Sequence, residues 1–160
     1  MEEDTGHFTF ITPRVAIGEV YSSNDPFNVI VNISSLYPLN QIITTSKGEK
    51  VIMCIGLGET PGEGDGEGER IAYIIETILP VLLEKGTATR ILFTGNIAIA
   101  IAYLIAVTGK DYNEIISFIQ EKRGVIPPSI DAEQAIREWV RSAIEYYQPK
   151  VSTKKYRFSC

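Results

Sequence analysis

The chain has 160 residues, with 15 Lys+Arg, 20 Asp+Glu and one His, so its formal net charge is −5. Hydrophobic residues at 44% and charged residues at 22% exclude a wholly disordered chain, and the length suits one domain with a core of its own. The acidic balance removes any whole-molecule attraction for nucleic acid or an anionic membrane, leaving only local basic patches for such roles.

Short β-rich segments open the chain. Phe8 to Ile11 and Val15 to Ile17 flank Pro13, and Val29 to Ile33 is a β-branched run between polar turn residues. Gln41 to Thr45 and Glu49 to Ile55 meet at Ser46-Lys47-Gly48, which reads as a hairpin or tight connection. Ile71, Ile74, Ile75, Ile78, Leu79 and Leu82 then recur at intervals of three and four, one apolar face of a helix. Pro80 falls inside it and predicts a kink or late break, with Gly86 as the stop. Arg90 to Thr94 is a further short strand.

The run from Ile97 to Val107 begins with strict large/small alternation, a strand period, but its length and alanines favour a helix buried on most sides. Asn96 is its expected N-cap and Gly109 its stop. Asp111 with Glu114 three residues on has the form of a capping box, opening a helix to about Arg123. After Pro127-Pro128, the stripe Ala132, Ala135, Ile136, Trp139, Val140, Ala143, Ile144 and Tyr147 predicts a last amphipathic helix. Strands alternating with helices predict one α/β domain over residues 8–148, a central twisted mixed β-sheet flanked by helices. A flexible tail (1–7) is expected before it and a basic tail (149–160) after it.

Two cysteines, Cys54 and Cys160, make neither a disulfide framework nor a zinc site, and His7 is the one histidine, so no Ser-His-Asp set or metal cluster can be assembled. The Gly-rich stretch Gly62 to Gly68 lacks the Lys and Ser/Thr of a nucleotide P-loop, and its acids lack EF-hand spacing. No cofactor or metal is expected. Met1-Glu2-Glu3-Asp4 is not followed by an apolar run, and the run Ile97 to Val107 is shorter than the roughly 20 residues that span a bilayer. A cytoplasmic or nuclear address, without secretion or membrane insertion, is the expectation.

The order of these segments resembles the dual-specificity protein phosphatases, a cysteine-dependent class. Val15-Ala16-Ile17-Gly18, followed by Ser22-Ser23-Asn24-Asp25, is similar to that family's opening strand, glycine and Ser/Ala-x-Asp. Val29-Ile30-Val31-Asn32-Ile33-Ser34 resembles its "val-ile-asn-leu-thr" strand, and Ile91-Leu92-Phe93-Thr94-Gly95 sits where the family writes "val-leu-val-His-Cys". Ala102-Tyr103-Leu104 resembles the helix behind the active-site loop. Asp111 through Arg123, then Ile126-Pro127-Pro128, resembles the family's "leu-x-x-ala-x-x-phe-val-x-x-x-arg … pro-asn" run, and Trp139 fits the last helix. The likeness covers roughly residues 8 to 147.

The resemblance also implies a departure. Gly95 stands at the Cys position, Thr94 at the preceding His position, and only Asn96 separates Gly95 from the Ile-Ala helix, where the family has a longer loop ending in Arg. Such chemistry needs a low-pKa thiolate at a helix N-terminus, backbone amides around the phosphate and a bidentate Arg. At Thr94, Gly95 and Asn96 the sequence keeps only a helix N-terminus, and nothing local supplies a cation. Glu59 and Asp65 are positional relics of the general-acid loop. The expectation is therefore a chain that is not an enzyme, a degenerate family member (a pseudophosphatase) serving as a protein-binding, scaffolding or regulatory module. Implied partners are a phosphoprotein, kinase or phosphatase, or a second copy of itself, and compact virus-encoded members make a viral source one option. The alternatives are an enzyme with repurposed chemistry near the acidic loop, or an adaptor for nucleic acid or acidic protein through the basic tail. Two charged segments are the candidate partner-binding patches: Glu63, Asp65 and Glu67, and Lys150, Lys154, Lys155 and Arg157.

Overall fold

The computed structural model describes residues 8–19, 26–34, 42–47, 50–56, 67–86, 89–125 and 127–152. Six strands form one sheet: β1 (Phe8–Thr12), β2 (Val15–Gly18), β3 (Val29–Ser34), β4 (Ile42–Lys47), β5 (Lys50–Gly56) and β6 (Ile91–Gly95). Four helices complete the order: α1 (Glu67–Glu84), α2 (Ala98–Thr108), α3 (Tyr112–Lys122) and α4 (Ile130–Ser152). The sheet order is β1-β2-β6-β3-β5-β4. The pairs β2–β6, β6–β3 and β3–β5 are parallel, and the outer pairs β1–β2 and β4–β5 are antiparallel. This is the mixed α/β sheet that the segment order predicts. No helix among the described residues is long and apolar enough to cross a membrane.

The two faces of the sheet bury different material. Val29, Val31 and Ile33 of β3, with Ile91 and Phe93 of β6, join a large core with the inward faces of all four helices. On the other face Ala16, Ile30 and Leu92 carry a small cluster with Phe8 and Phe27. Phe8 meets Phe27 edge-on, with ring centroids 5.1 Å apart. The period-2 alternation of side chains along each strand distributes these two sets.

Helix α2 is buried from Ala98 through Ile105 because α1, α3 and α4 all pack against it. An all-apolar helix is stable only in such a surround. Its left-handed stop falls at Gly109, φ 78°, whose N–H donates to the Ile105 carbonyl at 2.8 Å. Asn96 acts one residue earlier than expected: Ile97 holds the N-cap position, and the Asn96 Oδ1 accepts the Ala98 N–H at 2.8 Å. Helix α1 continues through Pro80 to Glu84, and Gly86 with φ 89° follows it, so no break occurs at the proline. The capping box at α3 is formed, with the Asp111 carboxylate accepting the Glu114 N–H at 2.8 Å and Glu114 accepting the Asp111 N–H at 3.1 Å.

Candidate functional site: a cleft at the carboxyl ends of β2 and β6

Ligands of open α/β sheets bind beyond the carboxyl ends of the parallel strands, where loops from several strands diverge. In this molecule that position holds a cavity of about 930 Å³. Its walls come from the end of β2 (Ile17, Gly18, Glu19), the β6–α2 junction (Gly95, Asn96, Ile97) and the segment from the end of α3 to Ser129.

The β6–α2 junction is short and rigid. β6 ends at Gly95 and α2 begins at Ala98. Gly95 has φ 87°, and a Cβ built on it would lie 1.8 Å from the carbonyl oxygen of Ile33. Both its conformation and the close passage of β3 therefore demand glycine. The Asn96 N–H donates to that same Ile33 carbonyl at 3.2 Å, which ties the junction to β3. The first turn of α2 lies behind this wall: Ala98, Ile99 and Ala100 are fully buried, the Ala98 N–H is taken by Asn96 Oδ1, and Gly95, Asn96 and Ile97 are what the junction presents to the cleft.

The opposite wall supplies a cation. Arg123 follows α3 directly, in extended conformation, and its side chain is 16% exposed. One guanidinium nitrogen donates to Thr9 Oγ1 at 2.9 Å, and the other lies 3.6 Å from the carboxylate of Glu19, itself 82% exposed. A contact that long to so exposed a carboxylate is weak, so Thr9 on β1 is what fixes the guanidinium. Gln120 clamps the following loop, donating to the Val125 carbonyl at 3.0 Å and accepting the Val125 N–H at 3.3 Å. Ser129 ends the wall and caps α4, its hydroxyl accepting the Ala132 N–H at 3.2 Å. A preset guanidinium lining an open cleft is suited to an oxyanion such as a phosphate or carboxylate.

The candidate residues fall as follows. Gly95 and Asn96 line the cleft. Thr94 does not: it is 1% exposed, and its hydroxyl donates to Asn32 Oδ1 at 2.8 Å on the neighbouring strand. Cys54 is level with Asn32 in the β3–β5 register and is partly exposed rather than buried, two strands away from β6. Glu67 opens α1 and Lys150 lies in α4, while Glu59, Glu63, Asp65, Lys154, Lys155 and Arg157 lie outside the described residues. His7, Cys160 and the two expected tails lie largely outside them too. Among the described residues no group of three or more His, Cys, Asp or Glu is placed to hold a metal ion.

Arg123 is the charged cleft residue that the sequence reading passes over. Nothing in the sequence next to the Asn96 turn supplies a cation; the one lining the same cleft comes from the end of α3, which packs beside β1. The signal lay in the "arg … pro" run that Arg123 and Pro127 share with the resembled family.

No protein-family model matches the sequence, and no curated protein matches it. Solved structures do match in fold. The human tyrosine phosphatase-like serine/threonine/tyrosine-interacting protein is 20% identical with a TM-score of 0.59, over 87% of this chain and 99% of that one. DUSP15 is 16% identical with a TM-score of 0.62, over 92% and 96%. Tk-PTP in its active form is 16% identical with a TM-score of 0.55, over 86% and 98%. The chain therefore has the dual-specificity phosphatase-like α/β fold. These comparisons overturn the expectation that the chain is not an enzyme, because the fold it shares is that of phosphatases, an enzyme family.

Proposed function

We propose that this protein is a protein-binding module of the phosphatase-like fold, which takes a phosphorylated or acidic segment of a protein partner into the cleft at the carboxyl ends of β2 and β6. The observation that carries the reading is the placement of Arg123, held by Thr9, in the same cleft as Gly95, Asn96 and Ile97. A hydrogen bond from a charged donor contributes about 1.5–3 kcal/mol, and a guanidinium can offer two in parallel to one phosphate. The cleft is open enough for a peptide to lie across it, and Ile17, Ile97, Val125 and Pro127 give the neighbours of the charged residue apolar surface to meet. The fold likeness to a phosphatase-like interacting protein accords with a binding role.

The test is a titration of the full chain with one peptide in phosphotyrosine, phosphothreonine and unmodified forms. We expect a phosphorylated form to bind at least about tenfold tighter than the unmodified one, and Arg123→Gln to remove most of that difference. Equal binding of all forms, or a preference that survives Arg123→Gln, would overturn the reading.

A further inference from the structure

A second concave region lies between α1 and α4, apart from the cleft. A Cβ on Gly68 would lie 2.8 Å from the carbonyl oxygen of Asp131, so the two helices touch backbone to backbone near their N-termini. From that contact a groove of about 640 Å³ opens along them. Its rims carry Glu69 and Glu76 from α1 and Asp131 and Glu138 from α4, and its floor includes the partly buried Trp139. Each wall thus presents two carboxylates two turns apart, roughly 10 Å along the helix. No Lys or Arg is among the described residues that line it.

A groove of this shape takes a segment whose cations are spaced along an extended or helical backbone. The one stretch of this chain that matches is Lys154-Lys155-Tyr156-Arg157-Phe158, three cations interleaved with two aromatic residues and no acid. A molecule cannot bring all three of these cations to its own groove. α4 continues from Glu138 to Ser152, about 21 Å of helix, before that segment starts. Lys154 and Lys155 follow Ser152 by two and three residues, at most about 10 Å of chain, and so cannot return to Glu138 or Asp131 of the same molecule. We infer that the groove between α1 and α4 receives the Lys154–Phe158 segment of a second copy of this chain, and that the exchange is reciprocal about a two-fold axis. Two-fold symmetry repeats each charge contact, so four carboxylates meet three cations twice in one dimer. In that exchange the aromatic residues beside those cations would meet the Trp139 indole on the floor, through ring packing or a cation over its face.

This inference is independent of the Arg123 cleft, and its experiment separates the two. The full chain is examined by sedimentation and light scattering beside two charge-reversed forms. One carries Lys154→Glu, Lys155→Glu and Arg157→Glu; the other carries Glu69→Lys, Glu76→Lys and Glu138→Lys, which turns the groove from four negative charges to a net positive one. The unaltered chain is expected to be a dimer whose dissociation constant rises at least about tenfold between about 0.05 M and about 0.5 M salt. Each reversed form alone is expected to be monomeric, and an equimolar mixture of the two to dimerise again, because both exchanged contacts are then of opposite sign. A monomer at all concentrations, a dimer indifferent to tail reversal, or a mixture that stays monomeric would overturn the inference. Should the groove variant fail to fold by circular dichroism, the tail variant and the salt dependence still decide. Phosphopeptide binding at Arg123 should be unchanged in the tail variant.

Discussion

The cleft beside Arg123 and the groove between α1 and α4 are both concave and both charged, but they are built from different parts. The cleft is built on a tight backbone turn: a glycine with positive φ pressed against Ile33, the Asn96 N–H tied to the same carbonyl, and one cation opposite fixed by Thr9. The groove is made of side chains standing on two helix surfaces, with the backbone involved only where Gly68 meets Asp131. Changes in the cleft should therefore cost stability and binding together, whereas changes on the groove's rims should cost association alone. A site buried in the turn geometry of the fold cannot drift without unfolding it. A site on an exposed helix face can.

The largest effect that sharpens this contrast is expected at Gly95. Gly95→Ala, or Gly95→Cys to place a thiol at the strand end, drives a Cβ into the Ile33 carbonyl as well as forcing a side chain into positive φ. We expect about 3 kcal/mol or more of destabilisation by urea unfolding, or no soluble protein at all. Gly109→Ala is the control: its φ is 78°, yet nothing lies within 4 Å of the added Cβ, so the cost should be near 1 kcal/mol. Equal losses at the two glycines would mean that the β6–α2 turn is not pinned as described. A smaller effect is expected at Asp111, away from both sites. Asp111→Ala removes a formed capping box and should cost about 1 kcal/mol in the same unfolding measurement, with no change in phosphopeptide affinity. A loss of affinity there would show that α3 and Arg123 move together more loosely than the geometry implies.

Much of the framework was legible in the chain because it is set locally. The β-branched run Val29 to Ile33 marked β3, the short apolar run Arg90 to Thr94 marked β6, and the Asp111–Glu114 spacing marked the start of α3. Gly86 and Gly109 marked two helix ends, each with positive φ. The misplaced detail was local too: Asn96 caps α2 from one residue further out. The site was less legible because it is assembled across the chain. Gly95 and Asn96 were visible as a shortened turn, but the cation opposite them arrives from the end of α3 and is held by a threonine on β1. No spacing along one element announces that meeting. The acids of the groove show the same difficulty in reverse. Each pair reads as the solvent side of an amphipathic helix, and only the contact of α1 with α4 turns two such faces into one groove. The Glu59 to Glu69 stretch looked like the acidic feature of the chain. Among the described residues of that stretch, Glu69 lines the groove beside Asp131 and Glu138 of α4.

The most direct test of the binding account is an amide chemical-shift map of the full chain titrated with a phosphotyrosine peptide. The account predicts that the shifts concentrate at Gly95, Asn96, Ile97 and Arg123 through Val125, around a cleft whose cation is fixed by Thr9. It predicts that the Glu69, Glu76 and Glu138 amides stay unmoved, because four carboxylates repel a phosphate. Shifts confined to the α1–α4 groove, or a phosphopeptide that moves no resonance at the β6–α2 turn, would contradict it.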